Sequence, residues 1–310
     1  MTSWHNPGSR YFAILPEVSR ALRDGNPVVA LESTVITHGL PFPENEELAK
    51  DLEEEIREVG SIPATIAIID GMICIGLDAG QLERLVRAEG MLKISSRDIA
   101  PAVEKHKSGG TTVAGTLAIA KEAGIKVFAT GGIGGVHRQA PYDVSADLGQ
   151  LARSPLVVVC AGAKAILDIP ATLEVLETYG VPVIGYKTDE FPAFYSVSSG
   201  MPVSARADSA EEVAILANTH WNLGMPSSIL VAVPPPSEFA LEADKVETAI
   251  QSALEEAHKK NIRGQSVTPF LLRRVSELTG GSSLRANLGL LKNNARVAAE
   301  IAHFIYLDHQ

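Results

Sequence analysis

Lys164 stands in the stretch 156–168, LVVVCAGAKAILD, directly after β-branched and apolar residues and among Ala161, Gly162, Ala163 and Ala165, which have almost no side chain. The spacing predicts a lysine just past the end of a buried strand, ahead of a short helical turn over Ala165 to Leu167 that Asp168, Ile169 and Pro170 end. Poor hydration and the positive end of that turn both disfavour the ammonium, which makes the amine a candidate nucleophile. The alternative is a lysine reaching from a strand end to solvent. Glu32 follows the apolar run Val28 to Leu31 in the same manner. Desolvated, it is a general acid with a raised pKa; otherwise it is a strand-end cap in an ion pair.

Two glycine-rich loops could meet an anion. Residues 108–116, SGGTTVAGT, place hydroxyls and glycines at a helix entry. Backbone N–H groups there make a phosphate cradle, unless Thr111 or Thr112 only caps the helix. The loop lacks the Lys-Ser/Thr ending of a P-loop and is not a dinucleotide fingerprint. Residues 131–135, GGIGG, precede His137 and Arg138 and imply close approach of the backbone to a ligand or another subunit. Asp143 and Asp147 are spaced i and i+4. On a helix they could hold magnesium or manganese, mostly through water; otherwise Asp143 or Ser145 caps the helix that follows. The eight histidines show no zinc spacing.

Strands and helices that alternate must position these residues. Strands are expected at Val28–Leu31, Ala64–Ile69, Met72–Ile75, Leu92–Ile94, Lys126–Ala129, Leu156–Cys160, Val181–Tyr186 and Ser228–Val233. Helices are expected at Glu44–Val59, Leu82–Ala88, Val113–Ala123, Pro170–Tyr179 and Ala210–Asn222, with three more at the C-terminus. Residues 136–150 read as loop then helix, and residues 1–15 as an N-terminal arm. Asp70-Gly71 marks a hairpin. The expected fold is α/β: one domain over 1–310, a mixed, largely parallel sheet sandwiched by helices. Sites in such sheets lie at the carboxyl ends of the strands, where Glu32, the 131–135 loop and Lys164 all fall, with Lys93 nearby.

A net charge of −10 argues against nucleic acid as a partner, and no stretch is long and apolar enough to span a membrane. Cys74 and Cys160 sit in apolar runs and read as buried thiols in a reducing compartment. The N-terminal residues carry no secretory pattern, so a cytoplasmic location is expected, or an organelle such as a peroxisome or mitochondrion if a targeting segment was removed.

The ordered set LESTVITHGLPFP, KIS at 93–95, SGGTTVAGT, ATGGIGGVHR, DVSADL, VVVCAGAKAILD, VTPFLL and SSLRANLGLLKNNA resembles the pseudouridine-5′-phosphate glycosidase (indigoidine synthase A) family from about Pro27 to Ile305. The resemblance implies a homotrimer with an α/β/α fold and one manganese, or another divalent cation, per subunit. It implies reversible cleavage of the C–C glycosidic bond of pseudouridine 5′-phosphate to uracil and ribose 5-phosphate. The family's nucleophile falls on Lys164, its proton donor on Glu32 and its metal-bearing aspartate on Asp143. Its substrate contacts fall on Lys93, Val113, Ser145, Ala146 and Asp147, and His137 and Asn287 match positions lining its pocket. The 108–116 cradle, with Thr112 at the helix entry, would hold the phosphate together with Lys93 and His137. The segment between His137 and Asp143 is shorter than in bacterial members, which leaves the path of that loop open. Two other activities fit the same residues: a Schiff-base aldolase or lyase acting on a sugar phosphate, or a non-catalytic sugar-phosphate-binding protein.

Overall fold

Valine- and isoleucine-rich runs become strands shielded on both faces, as parallel strands between helices must be. The computed structural model describes residues 10–307, apart from 139, 263, 265 and 266, with the backbone alone at 140 and 141. Residues 1–9 of the expected arm lie outside the described residues. Strand β1 (Phe12–Ile14), helix α1 (Pro16–Asp24), β2 (Val28–Leu31) and α2 (Glu44–Glu58) open the chain. A hairpin of β3 (Ile62–Ile69) and β4 (Met72–Ile75) precedes α3 (Ala79–Arg87) and β5 (Leu92–Ile94). Next come α4 (Ile99–Glu104), β6 (Gly109–Thr111), α5 (Val113–Ala123) and β7 (Val127–Ala129). β8 (Val136–His137) and β9 (Ala140–Val144) lead to α6 (Ala146–Leu151) and β10 (Val157–Cys160). β11 (Leu167–Asp168), α7 (Ile169–Thr178), β12 (Val183–Tyr186) and β13 (Ala205–Ala207) follow. The chain continues through α8 (Ala210–Asn222), β14 (Ile229–Ala232), α9 (Ala243–Lys259), α10 (Val267–Leu278) and α11 (Ser282–Leu307).

The main sheet runs β1-β4-β3-β2-β7-β10-β14-β12-β13, and every pairing from β3 to β13 is parallel. The Asp70-Gly71 hairpin makes the sheet mixed, with Ile69 opposite Met72. Asp70 and Gly71 both have positive φ, which a two-residue turn of this hand requires. β6 pairs antiparallel with β3 and carries β5 alongside it. Helix α11 lies against β2, β7 and β10, between α2 and α8, while α5 packs with α6 and against β2 and β3. The buried Ala286, Ala295, Ala298, Ala299 and Ala302 of α11 let this long helix come close to the strands.

Three sequence expectations change. The arm ends in a strand, because Phe12–Ile14 pairs in parallel with Ile73–Ile75. The loop expected after Gly135 is a hairpin, and β11, β8 and β9 form a separate three-stranded sheet. The helical turn over Ala165 to Leu167 does not form: a non-helical turn at 165–166 runs straight into β11. Pairing with β8, which single-sequence periodicity does not report, takes Leu167 and Asp168 into a ladder instead.

Candidate active site

Leu31 of β2 and Val159 of β10 both lie opposite Ala129 of β7, so three neighbouring strands release their chains side by side. Glu32 emerges from β2 and Thr130 from β7, and the Thr130 hydroxyl donates to Glu32 Oε1 at 2.5 Å. Burial raises the Glu32 carboxyl above its ordinary range. The positive charge of Lys164, the Thr130 hydrogen bond and the charge of Lys93 oppose that rise, while Asp147 adds to it.

The loop after β10 is stitched to the loop after β7. Ala161 N–H donates to the Gly131 carbonyl at 2.8 Å, Ile133 N–H to Gly162 at 3.1 Å, and Lys164 N–H to Ile133 at 3.1 Å. Lys164 Nζ donates to the Gly132 carbonyl at 2.6 Å. The nearest helix, α7, starts at Ile169 and is capped by Asp168, whose Oδ1 accepts from Ala171 N–H. No helix terminus therefore follows Lys164 directly, and a backbone carbonyl orients its amine instead. Arg138 ties down the following turn, donating to the carbonyls of Ala165 and Leu167 at 3.0 Å each and pairing with Glu247 at 2.6 Å. Cys160, buried beside these residues, has its thiol pushed up to about 12, so it stays protonated and offers no competing thiolate at neutral pH.

Lys93 enters from β5. Burial pushes its amine down and the like charge of Lys164 pushes it further, against Asp147 and Glu32. Burial also lowers His137; Asp143 opposes this, and Lys93 and Lys164 reinforce it. Glu32 and Lys93 thus each feel Lys164, Asp147 and one another, while His137 feels Lys93, Lys164 and Asp143. The sequence reading missed His38, whose imidazole is lowered by burial and by Lys93. Its place six residues past Glu32 in LESTVITHG was the available signal.

The Asp143–Asp147 pairing does not share a helix face. Asp143 is exposed on β9, and α6 begins only at Ala146, with Ser145 as its cap. Asp147 is buried and its carboxylate clasps both glycine-rich loops, accepting from Ala114 N–H at 2.9 Å and Gly134 N–H at 2.8 Å. The N–H groups of Thr111, Thr112 and Ala114 in the expected phosphate cradle are therefore taken by the chain itself, by Ser33 Oγ, the Ile94 carbonyl and Asp147. Thr112 caps α5 by accepting from Gly115 N–H. The Val113 side chain is buried, so only its N–H, an unpaired donor of a first helical turn, is left to face a ligand.

The glycines of 131–135 also serve the chain itself. A Cβ would lie 2.6 Å from the Phe194 ring at Gly132, 2.3 Å from Ser145 at Gly134, 2.3 Å from Thr172 at Gly135 and 3.1 Å from Leu291 at Gly131. Within the chain, the close approach at these glycines is to these side chains. Ser145 and Ala146 sit at the start of α6, next to the clasp. Asn287 is half-buried on α11 and makes no side-chain hydrogen bond among the described residues. Two turns on, Asn294 is fully buried and donates from Nδ2 to the Thr130 carbonyl at 2.9 Å and the Gly131 carbonyl at 3.4 Å. The sequence reading passed over Asn294, although a polar residue between alanine-rich turns was a sign of it.

A cavity of about 680 Å³ is lined by Arg138, Leu167, Ser199, Glu247 and their neighbours, but by none of Glu32, Lys93, His137 or Lys164. Charge and hydrogen bonding locate the reactive groups here, and enclosed volume does not. The arrangement offers an amine held by a carbonyl, a carboxyl whose pKa burial raises, and nearby cations for an anionic substrate.

A family model described as indigoidine synthase A like protein matches residues 17–304. The chain is 52% identical over 296 residues to the pseudouridine-5′-phosphate glycosidase of Caldanaerobacter subterraneus, covering 95% of this chain and 96% of that protein. It is 54% identical over 288 residues to the pseudouridine-5′-phosphate glycosidase of Geobacillus kaustophilus, covering 92% and 96%. Among solved structures, the prealnumycin C-glycosynthase AlnA in complex with ribulose 5-phosphate superposes with a TM-score of 0.90 at 39% identity, covering 97% of this chain and 98% of that one. An indigoidine synthase A-like protein from Thermotoga maritima superposes with a TM-score of 0.88 at 38% identity, covering 95% and 96%.

Proposed function

The chain belongs to the indigoidine synthase A-like family, and from that premise we propose that it cleaves and re-forms the C–C glycosidic bond of pseudouridine 5′-phosphate, with uracil and ribose 5-phosphate as the other partners of the equilibrium. The observation that carries this reading is the placing of Lys164, on the Gly132 carbonyl, and Glu32, on the Thr130 hydroxyl, at the ends of β10 and β2 on either side of β7. A C–C glycosidic bond has no leaving heteroatom to protonate, so two-carboxylate glycosidase chemistry does not suit it. An amine and one carboxylic acid do.

In the cleavage direction the neutral Lys164 amine attacks C1′, the C1′–O4′ bond breaks, and Glu32 gives its proton to the ring oxygen. The carboxylate formed takes the surplus proton from the new secondary amine. The nitrogen lone pair then forms a C=N bond as the bond from C1′ to uracil C5 breaks. Glu32 returns the proton to C5, and uracil leaves. Water adds to the imine and expels the lysine, giving ribose 5-phosphate. Lys93, His137 and the Val113 N–H hold the phosphate end, where binding energy is gained away from the reacting carbon.

A divalent cation, manganese or a substitute, fits beside Asp143. That carboxylate is exposed and close enough to His137 to act on it, and no cage of three or more His, Cys, Asp or Glu side chains occurs among the described residues. One carboxylate with several waters suits a hard cation that is easily exchanged. When bound, it would neutralise charge at the polar end of the pocket.

The assembly is a homotrimer. Supporting this, Tyr142 and Val144 of the edge strand β9 are exposed apolar residues suited to a partner surface. Sedimentation at about three times the 32.9 kDa chain mass is the expected result. No helix among the described residues is long and apolar enough to cross a membrane, and a cytoplasmic setting suits a sugar-phosphate substrate. The decisive test is borohydride reduction with ribose 5-phosphate followed by peptide mass mapping. An adduct on Lys164 is expected, and its absence rules out the imine.

A further inference from the structure

Asn294 stands apart from every other polar residue of α11. Its side chain is fully buried, Nδ2 reaches the carbonyls of Thr130 and Gly131, and Oδ1 has no hydrogen-bond partner among the described residues. The amide cannot be turned over to relieve Oδ1, because that would aim an oxygen at two carbonyl oxygens. A buried oxygen without a partner is destabilising. An apolar residue of the same size would remove that orphan but would leave the buried Thr130 carbonyl without its donor, so the asparagine is there for these carbonyls.

Its partners account for it. Thr130 supplies the hydroxyl on Glu32, and the residue after Gly131 supplies the carbonyl on Lys164. Gly131 O also accepts from Ala161 N–H, the first residue past β10, and Gly131 itself packs against Leu291, one helical turn before Asn294. Resting on the glycosidase reading above, we propose that Asn294 is a positioning residue: by fixing the Thr130 and Gly131 carbonyls it aims the Thr130 hydroxyl at Glu32 Oε1, leaves Oε2 to carry the catalytic proton, and sets the separation of acid and nucleophile. It touches no substrate. It acts through the backbone of the loop after β7.

Asn294→Leu is the test, made in parallel with Asn294→Ala in case leucine is not accommodated. The leucine variant is expected to remain folded with a thermal midpoint within a few degrees of the native protein, the lost donor offset by the removed orphan oxygen, while kcat for pseudouridine 5′-phosphate cleavage falls at least about tenfold and KM changes less than about twofold. The pH limb belonging to Glu32 moves to higher pH, since a loosened Thr130 stabilises the carboxylate less. The other charges facing Glu32, which are Lys164, Lys93 and Asp147, stay in place. Thr130→Val should move the limb in the same direction and Thr130→Ser should leave it where it was. A folded Asn294 variant with native kcat and an unmoved limb overturns the proposal, as does a Thr130→Val limb that stays put. Failure of the native protein to join uracil and ribose 5-phosphate would instead overturn the glycosidase reading itself.

Discussion

Replacing Gly132 by alanine tests whether the Gly132 carbonyl is what holds the nucleophile. A Cβ at this position would meet Phe194 Cδ2 at 2.6 Å, Phe194 Cε2 at 2.7 Å and the Gly162 carbonyl at 3.0 Å. Ordinary contact begins at 3.4 Å, so the ring or the loop must give by about 0.8 Å. The ring is poorly placed to yield. Phe194 is buried, has a positive φ, and sits edge-on to Tyr195 with centroids 4.7 Å apart. The loop therefore moves, and the 2.6 Å bond from Lys164 Nζ to Gly132 O is drawn out toward the limit of a hydrogen bond. Overpacking of this kind costs about 1–3 kcal/mol, or a few degrees in Tm. A displacement near 1 Å at a reacting group costs about 10²-fold in rate. The assay is formation of pseudouridine 5′-phosphate from uracil and ribose 5-phosphate, with borohydride trapping of the Lys164 adduct in parallel. Gly149→Ala is the control: a helical glycine with nothing within 4 Å of the added Cβ should gain about 0.5–1 kcal/mol and keep its rate. A folded Gly132→Ala protein with kcat within about threefold of native would refute the reasoning, because a shift of this size at the nucleophile could not then be rate-determining.

Glu32→Gln keeps an acceptor for Thr130 but removes the proton, so kcat should fall about 10²–10⁴-fold while ribose 5-phosphate, which opens unaided, still yields a trapped lysine adduct. A kcat near the native value would place Glu32 outside the proton transfers. Glu53 of α2 accepts from the Thr65 hydroxyl at 2.6 Å and is raised by burial, so its stabilising contribution is complete below the unfolded value of 4.5 and is lost as pH rises through the folded one. Tm measured from acid to neutral pH should therefore show Glu53→Gln gaining on the native protein as pH rises, and a constant gap would contradict this. Asp143→Asn should raise the manganese concentration needed for half-maximal activity by about 10-fold or more, with Tm unchanged in chelator. An unaltered metal titration would assign the cation elsewhere.

The sequence alone determined the central strands of the main sheet, because they are buried on both faces and so must be written as continuous apolar runs: Val28–Leu31 was legible to the residue and Lys126–Ala129 and Ser228–Val233 to within one, whereas the short strands β1, β6, β8, β9, β11 and β13 carry no such run. It singled out Glu32 and Lys164 as candidates, each a charged side chain directly after such a run, with a strand-end cap or a lysine reaching to solvent as the alternative reading. It also determined the turn at Asp70-Gly71, where positive φ is a local requirement. Tertiary structure decided whatever depends on which loop meets which. The glycines of 131–135 are small because Phe194, Ser145, Thr172 and Leu291 arrive from distant segments. Asp147 is a clasp and no helical mate of Asp143, because β8 claims the segment before it for a hairpin. Asn294 and Thr130 are separated by 164 positions and are joined by one hydrogen bond. Patterning along a chain records how deeply a residue is buried, but a partner brought from another strand end leaves no period to read.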